Sequence, residues 1–350
     1  MASSTSSSPS VTRLALAALP TALEPAARLG AAIGAPDLLT KRDDLAGAVY
    51  GGNKVRKLEY LLGDAIGRGC DAVVTFGAAG SNHALATAVY AKQAGLDCFA
   101  VLTDQIQTPW VANTLRWHCL LGTHVIAAAG YVETQAEAAR LKAVHPSGPD
   151  RLYEIPWGGS SPLGSLGFVD AGAELAAQLY TVGVTGPVRV YLPCGTMGSV
   201  AGLLIGLRRA GVPTTVVSVK VVPQNVVDAT AVLQLASAIR LLLPAGTAPP
   251  IDDLAAHLEF RAEFAGEGYA VPTPECVEAI ALARDLEHWK IDTTYSGKAL
   301  ACLVADARSG RLAGQTPVFW QTWNSRAYPA GLECVDVSRL PAAFGKFFRL

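Results

Sequence analysis

Apolar positions along this chain switch repeatedly between two periods, and the switching is its main structural signal. Residues 55–69 place Leu58, Leu61, Leu62, Ala65 and Ile66 at i, i+3, i+4, i+7 and i+8, one helical face that closes at Gly67 and Gly69. Residues 71–76 read as a buried strand, residues 82–93 as a helix stopping at Gly95, and residues 98–102 as the next short apolar run. A strand near residues 124–127 precedes a helix over 133–142. The rhythm returns with strands near 188–192, 215–222 and 317–321 and with helices beginning near Gly198, Thr273 and Gly297. Strands alternating with helices predict an α/β fold with parallel sheets covered by helices. Such material on both sides of a central αβ block predicts two lobes with a cleft, and ligands in such sheets lie at the carboxyl ends of the strands.

Length and composition sharpen this picture. The 350 residues suit two lobes. Hydrophobic residues make up 51% and charged residues 16%, which excludes a disordered chain and predicts an oligomer that hides apolar surface. With 28 basic and 29 acidic residues the formal charge is -1, so neither a nucleic acid nor an anionic membrane is expected as partner. The apolar runs fall short of the ~18 residues a membrane span needs. Ser-rich residues 2–10, followed by Arg13 and an apolar stretch, resemble a targeting segment; Pro20 and Glu24 interrupt it early, and a cytoplasmic location is expected. Seven cysteines without a CxxC pair and six scattered histidines predict reduced thiols and no zinc site.

Candidate chemistry falls where strands give way to helices. Lys41-Arg-Asp-Asp44 precedes Gly51-Gly-Asn-Lys54-Val-Arg-Lys-Leu-Glu59, so Lys54 stands at a helix start after two glycines. The positive end of the helix disfavours its ammonium and favours the free amine that attacks an aldehyde; the alternative is a turn followed by a surface lysine. In Gly80-Ser-Asn-His83, Ser81 suits an N-cap, the helix amides suit a carboxylate, and His83 reads first as a packing residue. Cys194-Gly-Thr-Met-Gly-Ser199 is a glycine turn able to cradle a monophosphate, although any βα turn can be glycine-rich; it matches neither a Walker loop nor GxGxxG. Tyr269 in GEGY and Tyr295 in YSGK suit proton donors, cofactor stacking or plain lining. Lys298 rivals Lys54 for a Schiff base, with a structural role favoured.

Taken in order, KRDD, GGNKVRKLE, GSNH, Gly158-Gly-Ser160, CGTMGS, GEGY and YSGK resemble the pyridoxal-phosphate enzymes of the 1-aminocyclopropane-1-carboxylate deaminase and D-cysteine desulfhydrase family, over about residues 14–324. The resemblance implies a tryptophan synthase β-like fold (fold type II), with residues 1–56 and 171–350 as the large cofactor domain and 57–170 as the small one. It implies that Lys54 forms the imine with pyridoxal 5'-phosphate and shuttles the α proton. Asn82 and Asn53 would bond the phenolic oxygen of the cofactor, and Gly195, Thr196, Met197, Gly198 and Ser199 would hold its phosphate, Met197 standing where a glycine is common. Ser81, Asn82, His83 and Trp323 would face the substrate, and Tyr269 and Tyr295 would stand over substrate and ring.

Deaminases of that family resemble one another in carrying Glu after the tyrosine, beside the pyridine nitrogen, where desulfhydrases carry Ser or Thr together with a Thr near the last strand; this chain has Ser296 and Thr322, and hydroxyls there imply a milder electron sink. The implied activity is β-elimination from a D-cysteine-like amino acid, giving pyruvate, ammonia and the leaving group, by a cytoplasmic homodimer. The alternatives are a cyclopropane deaminase yielding 2-oxobutanoate and ammonia, a protein that binds the cofactor without turnover, and a nucleotide-dependent enzyme. Gln321-Thr-Trp-Asn324 departs from the HTGG usual in desulfhydrases, so Trp323 is expected to reshape the pocket.

Overall fold

The computed structural model describes residues 12–223 and 226–348, so the Ser-rich stretch at 2–10 lies outside it. In chain order, β1 (Leu23–Pro25), α1 (Ala27–Ile33) and β2 (Leu39–Lys41) lead into α2 (Lys54–Gly67). Then follow β3 (Ala72–Ala78), α3 (Asn82–Gln93), β4 (Asp97–Thr103), α4 (Val111–Leu121), β5 (His124–Ala128), α5 (Tyr131–Val144) and β6 (Leu152–Ile155). The long α6 (Pro162–Thr181) connects to β7 (Val188–Cys194), α7 (Gly198–Arg209), β8 (Thr214–Lys220), α8 (Ala229–Arg240), α9 (Ile251–Ala256) and β9 (Leu258–Arg261). The last elements are α10 (Pro274–Glu287), α11 (Ser296–Arg308) and β10 (Thr316–Trp320).

Two sheets result, one of four strands in the order β5-β4-β3-β6 and one of six in the order β1-β2-β10-β7-β8-β9. Every pairing is parallel except β1 with β2. β3 and β7 are buried at every residue, as parallel strands covered on both faces must be. Along β7 the period of two separates the faces. Val190 and Leu192 join the core with Leu203 and Val216, while Tyr191 points to the opposite core with Leu300 and Phe319. Among the described residues no helix is long and apolar enough to cross a membrane, and no cluster of side chains suits a metal ion.

Most of the expected strands and helices appear, displaced by a residue or two. The twenty-residue α6 is not among the expected helices, although its three glycines need not act as breakers. They are close contacts instead: a Cβ on Gly167 would lie 2.2 Å from Arg56 O, and one on Gly172 would lie 2.6 Å from Leu207 N. Glycine thus lets α6 press against α2 and α7, its own propensity cost notwithstanding. The expected domain limits near 57 and 170 fall inside α2 and α6, which pack on each other as the seam between the sheets.

Paired charges hold that seam. Lys41 Nζ donates to Glu174 at 2.5 Å, and Arg56 bonds both Asp43 at 2.8 Å and Glu174 at 2.9 Å. Glu59 accepts from Arg13 and from the N–H groups of Leu16 and Ala17. The KRDD and RKLE motifs are therefore largely structural. Lys41, Arg56, Asp43, Glu59 and Glu174 thus each face an opposite charge, since a buried charge left unpaired would be costly.

Candidate active site

A cavity of about 980 Å³ opens between the two sheets at the carboxyl ends of β3 and β7. Its walls include Asn53, Lys54, Ser81, Asn82, His83, Gly195, Thr196, Met197, Ser199, Tyr269, Tyr295, Thr322 and Trp323. Gly198 sits just behind the wall. Residues far apart in sequence are thus brought to one place, as their positions at strand ends predict.

Lys54 is the first residue of α2. The turn before it needs its glycines: Gly52 has φ +94°, and a Cβ on Gly51 would lie 1.9 Å from Asp44 O. Asn53 N donates to Thr322 O at 3.0 Å, which fixes the helix start to the segment leaving β10. Desolvation by the surrounding protein pushes the Lys54 ammonium down to about 8, so a free amine is available near neutral pH. Lys298, by contrast, does not line the cavity; it is buried with its Nζ donating to Ala265 O.

The turn between β7 and α7 is built as a cradle. Met197 adopts φ +66°, a left-handed conformation a side chain tolerates poorly, which explains physically why glycine would be favoured there. A Cβ on Gly198 would lie 2.7 Å from Ser160 Oγ, 2.8 Å from Ser165 Oγ and 2.9 Å from Lys57 Nζ. Lys57 donates to Ser160 Oγ at 2.9 Å and to Gly158 O at 3.2 Å, and Ser160 Oγ lies 2.7 Å from Thr196 Oγ1. Burial first, and the neighbouring Lys54 second, push the Lys57 ammonium well down. Ser165 Oγ is buried without a partner among the described residues. A buried cation without a carboxylate, an unused hydroxyl and a helix start fit a phosphate group. Sequence reading missed Lys57 and Ser165; the i+3 spacing of Lys57 from Lys54 was the available signal for the first.

Other expected residues fall into place with changes. Asn53 lines the cavity, one N–H of its amide donating to Ser199 Oγ at 3.1 Å. Ser81 caps α3 by accepting from Ala84 N at 3.2 Å while still lining the cavity. His83 is buried with Nε2 3.0 Å from Thr75 Oγ1, and burial holds it well below its usual value, hence neutral. Tyr269 and Tyr295 share a hydrogen bond of 2.5 Å; burial pushes Tyr269 up to about 12 and Tyr295 well above its ordinary value, so both keep their protons. Ser296 Oγ lies 2.9 Å from Thr322 Oγ1, both buried. Asp292, close by, accepts from the N–H groups of Thr294, Tyr295 and Ser296. Trp323 forms a wall, tilted against Trp110 with ring centroids 4.8 Å apart.

Comparison with known proteins agrees with this geometry. The chain is 33% identical over 293 residues to Nocardicin C-9' epimerase of Nocardia uniformis subsp. tsuyamanensis, covering 83% of this chain and 86% of that protein. It is 32% identical over 314 residues to D-cysteine desulfhydrase of Salmonella choleraesuis (strain SC-B67), covering 88% and 92%. A crystal structure described as an ACC deaminase homologue matches with TM-score 0.77 and 30% identity over 90% of this chain and 92% of that one. Threonine deaminase isoform 2 from Solanum lycopersicum, at 18% identity and TM-score 0.60 over 93% and 89%, shares the fold. The family described as pyridoxal-phosphate dependent enzyme matches residues 14–321, and the chain belongs to that family.

Proposed function

We propose that this enzyme eliminates a β substituent from a small amino acid resembling D-cysteine. Substrate and one water become pyruvate, ammonia and the departing group, which for cysteine is sulfide. Bound pyridoxal phosphate supplies a conjugated ring that takes up the electron pair left at the α carbon. Lys54 would hold the cofactor aldehyde through its amine, and the same amine is placed to take the α proton of the substrate. The amides at the start of α3 receive the substrate carboxylate, with the Ser81 hydroxyl beside them. The loop at 195–199, with Lys57 and Ser160 behind it, would hold the phosphate. Tyr269 and Tyr295, both protonated, can supply a proton to the leaving group.

The observation that carries the reading is the hydroxyl pair Ser296–Thr322 at 2.9 Å. At the position the resemblance assigns to the pyridine nitrogen stand two alcohols, and the carboxylate of Asp292 close by is engaged by three backbone N–H groups. Alcohols do not keep that nitrogen protonated as a carboxylate does. A modest electron sink suffices when a thiolate or halide leaves from the β carbon, whereas opening a cyclopropane has no such leaving group. The 32% identity to a D-cysteine desulfhydrase supports the same choice. Free cysteines throughout support a reducing, cytoplasmic setting, and exposed Tyr180, Leu241 and Leu242 support burial of apolar surface in a homodimer.

A second reading, inversion at the α carbon without elimination, is favoured by the 33% identity to an epimerase and by a cavity of about 980 Å³, roomy for cysteine beside the cofactor. The test is the ratio of kcat/KM for D-cysteine to that for 1-aminocyclopropane-1-carboxylate, measured by keto-acid release, with α-deuterium exchange followed in parallel. A ratio above one is expected. A ratio below one identifies a deaminase, exchange without keto acid identifies the second reading, and neither signal across D- and L-amino acids identifies a carrier of the cofactor.

A further inference from the structure

The carboxamide of Asn82 is held from behind by two donors. Trp323 Nε1 donates to Asn82 Oδ1 at 2.9 Å, and Tyr50 OH donates to the same oxygen at 3.0 Å. An indole N–H only donates, so the atom facing it must be the amide oxygen, and the amide can sit only one way round. Both donors are themselves fixed. Tyr50 is buried edge-on against Trp117, and its own carbonyl accepts from Tyr90 OH. Trp323 is packed by Trp110 on one side, and Lys290 Nζ lies 4.9 Å from its ring centroid. With its oxygen doubly engaged, Asn82, which lines the cavity, has its NH₂ group left to donate.

We propose that Trp323, the aromatic residue standing where a desulfhydrase resemblance would place glycine, is a positioning residue that aims the Asn82 amide N–H at the phenolic oxygen of the cofactor. This rests on the reading of Asn82 as donor to that oxygen. Released from Trp323, the amide can rotate by half a turn and present its oxygen to a phenolate, which repels it. An N–H donated to the phenolic oxygen stabilises its negative charge and weakens its hold on the proton it shares with the Lys54 nitrogen. Loss of that donor therefore raises the pH at which the shared proton leaves, and the visible colour of the holoenzyme reports that pH directly.

The experiment is a spectrophotometric pH titration of the holoenzyme and of Asn82→Ala, Trp323→Phe, Trp323→Leu and Tyr50→Phe. Asn82→Ala is expected to raise the midpoint by about one pH unit, the size of one hydrogen bond to an ionised group. Trp323→Phe and Trp323→Leu are expected to raise it in the same direction and to similar extents, and Tyr50→Phe by less, because the indole remains. A packing role makes a different prediction: Phe keeps a ring between Trp110 and Lys290 and would restore the original midpoint where Leu would not. If Asn82→Ala moves the midpoint and Trp323→Phe leaves it unmoved, the positioning role is overturned while the reading of Asn82 stands. If Asn82→Ala itself has no effect, that reading fails and the proposal with it. Should Trp323→Phe not fold, Trp323→Leu decides, a midpoint raised as far as by Asn82→Ala supporting the positioning role and an unmoved midpoint overturning it.

Discussion

Two turns of one kind, each running from a strand into a helix, line the cavity and differ in charge. At the β3–α3 turn Ser81 closes the helix start with its own side chain, and the adjacent His83 is neutral. At the β7–α7 turn the N-cap residue Met197 supplies no cap of its own and bends into the left-handed region, Gly198 N donates to the distant Ser160 Oγ at 3.3 Å, and Lys57 stands behind Gly198. A helix start alone suits a single negative charge. A helix start backed by a buried lysine suits a doubly charged group, whose field would also draw the depressed Lys57 ammonium back up. The contrast teaches that glycine content does not separate a phosphate site from a carboxylate site; what stands behind the glycines does.

The comparison presupposes that whatever spans the two turns is anchored on Lys54, so the largest effect comes from removing it. Lys54→Ala is expected to abolish the yellow colour of the purified protein and to lower turnover by roughly 10³-fold or more. Borohydride reduction followed by peptide mapping checks the anchor independently. A label on Lys298 in place of Lys54 would reverse the assignment, although the Lys298 amine is turned to Ala265 O.

The second break is aimed at the β7–α7 turn. Gly198→Asp puts a carboxylate into the cradle, against Ser160 Oγ, Ser165 Oγ and Lys57 Nζ, all side-chain ends that can yield. The fold should persist, since the new charge can pair with Lys57, while affinity for pyridoxal phosphate falls by about 100-fold or more, as expected when two like charges compete for one buried site. Dialysis followed by absorbance, with circular dichroism as the control for folding, measures both. Unchanged retention of the cofactor would return this loop to an ordinary βα connection.

Breaking the other turn should leave the cofactor alone. Ser81→Ala removes the cap on α3 and is expected to cost about 1 kcal/mol of stability, read from denaturant midpoints. It should raise KM for an amino-acid substrate by about tenfold, the weight of one hydrogen bond, with cofactor affinity unchanged. Equal effects of Gly198→Asp and Ser81→Ala on cofactor affinity would erase the distinction between the turns.

Much of this was legible in the sequence because periodicity and strand-end glycines report local requirements. β3, α3, β7, α7 and the helix start at Lys54 each announced themselves within a dozen residues. α6 did not, because Gly164, Gly167 and Gly172 signal turns locally and serve contacts with α2 and α7 that no local pattern contains. Lys57 was hidden for a similar reason. One helical turn past Lys54 it reads as a solvated charge, and only packing of α2 under the β7–α7 turn makes it part of the site. The KRDD segment, which the sequence sets beside Lys54, is directed instead largely to the ion pairs of the seam.

The smallest effect sharpens the electrostatics at Lys54. Burial lowers its ammonium to about 8, against an ordinary value of 10.5. Attachment of the cofactor aldehyde requires the unprotonated amine, so the rate of reconstitution of the apoprotein follows the free-amine fraction. For a group titrating near 8 that fraction climbs from about one-tenth at pH 7 to about one-half at pH 8, a rise of about fivefold, and less than about twofold is left above. A lysine with its ordinary value would still gain about tenfold per unit from pH 8 to 9. Stopped-flow absorbance of apoprotein mixed with pyridoxal phosphate between pH 6.5 and 9.5 separates the two curves. Because the phosphate itself is fully ionised above about pH 7, a plateau beginning near pH 8 reports the amine and not the cradle. A rate still climbing at pH 9.5 would mean that Lys54 is solvated in the apoprotein, and that its helix start confers less on the amine than its burial implies.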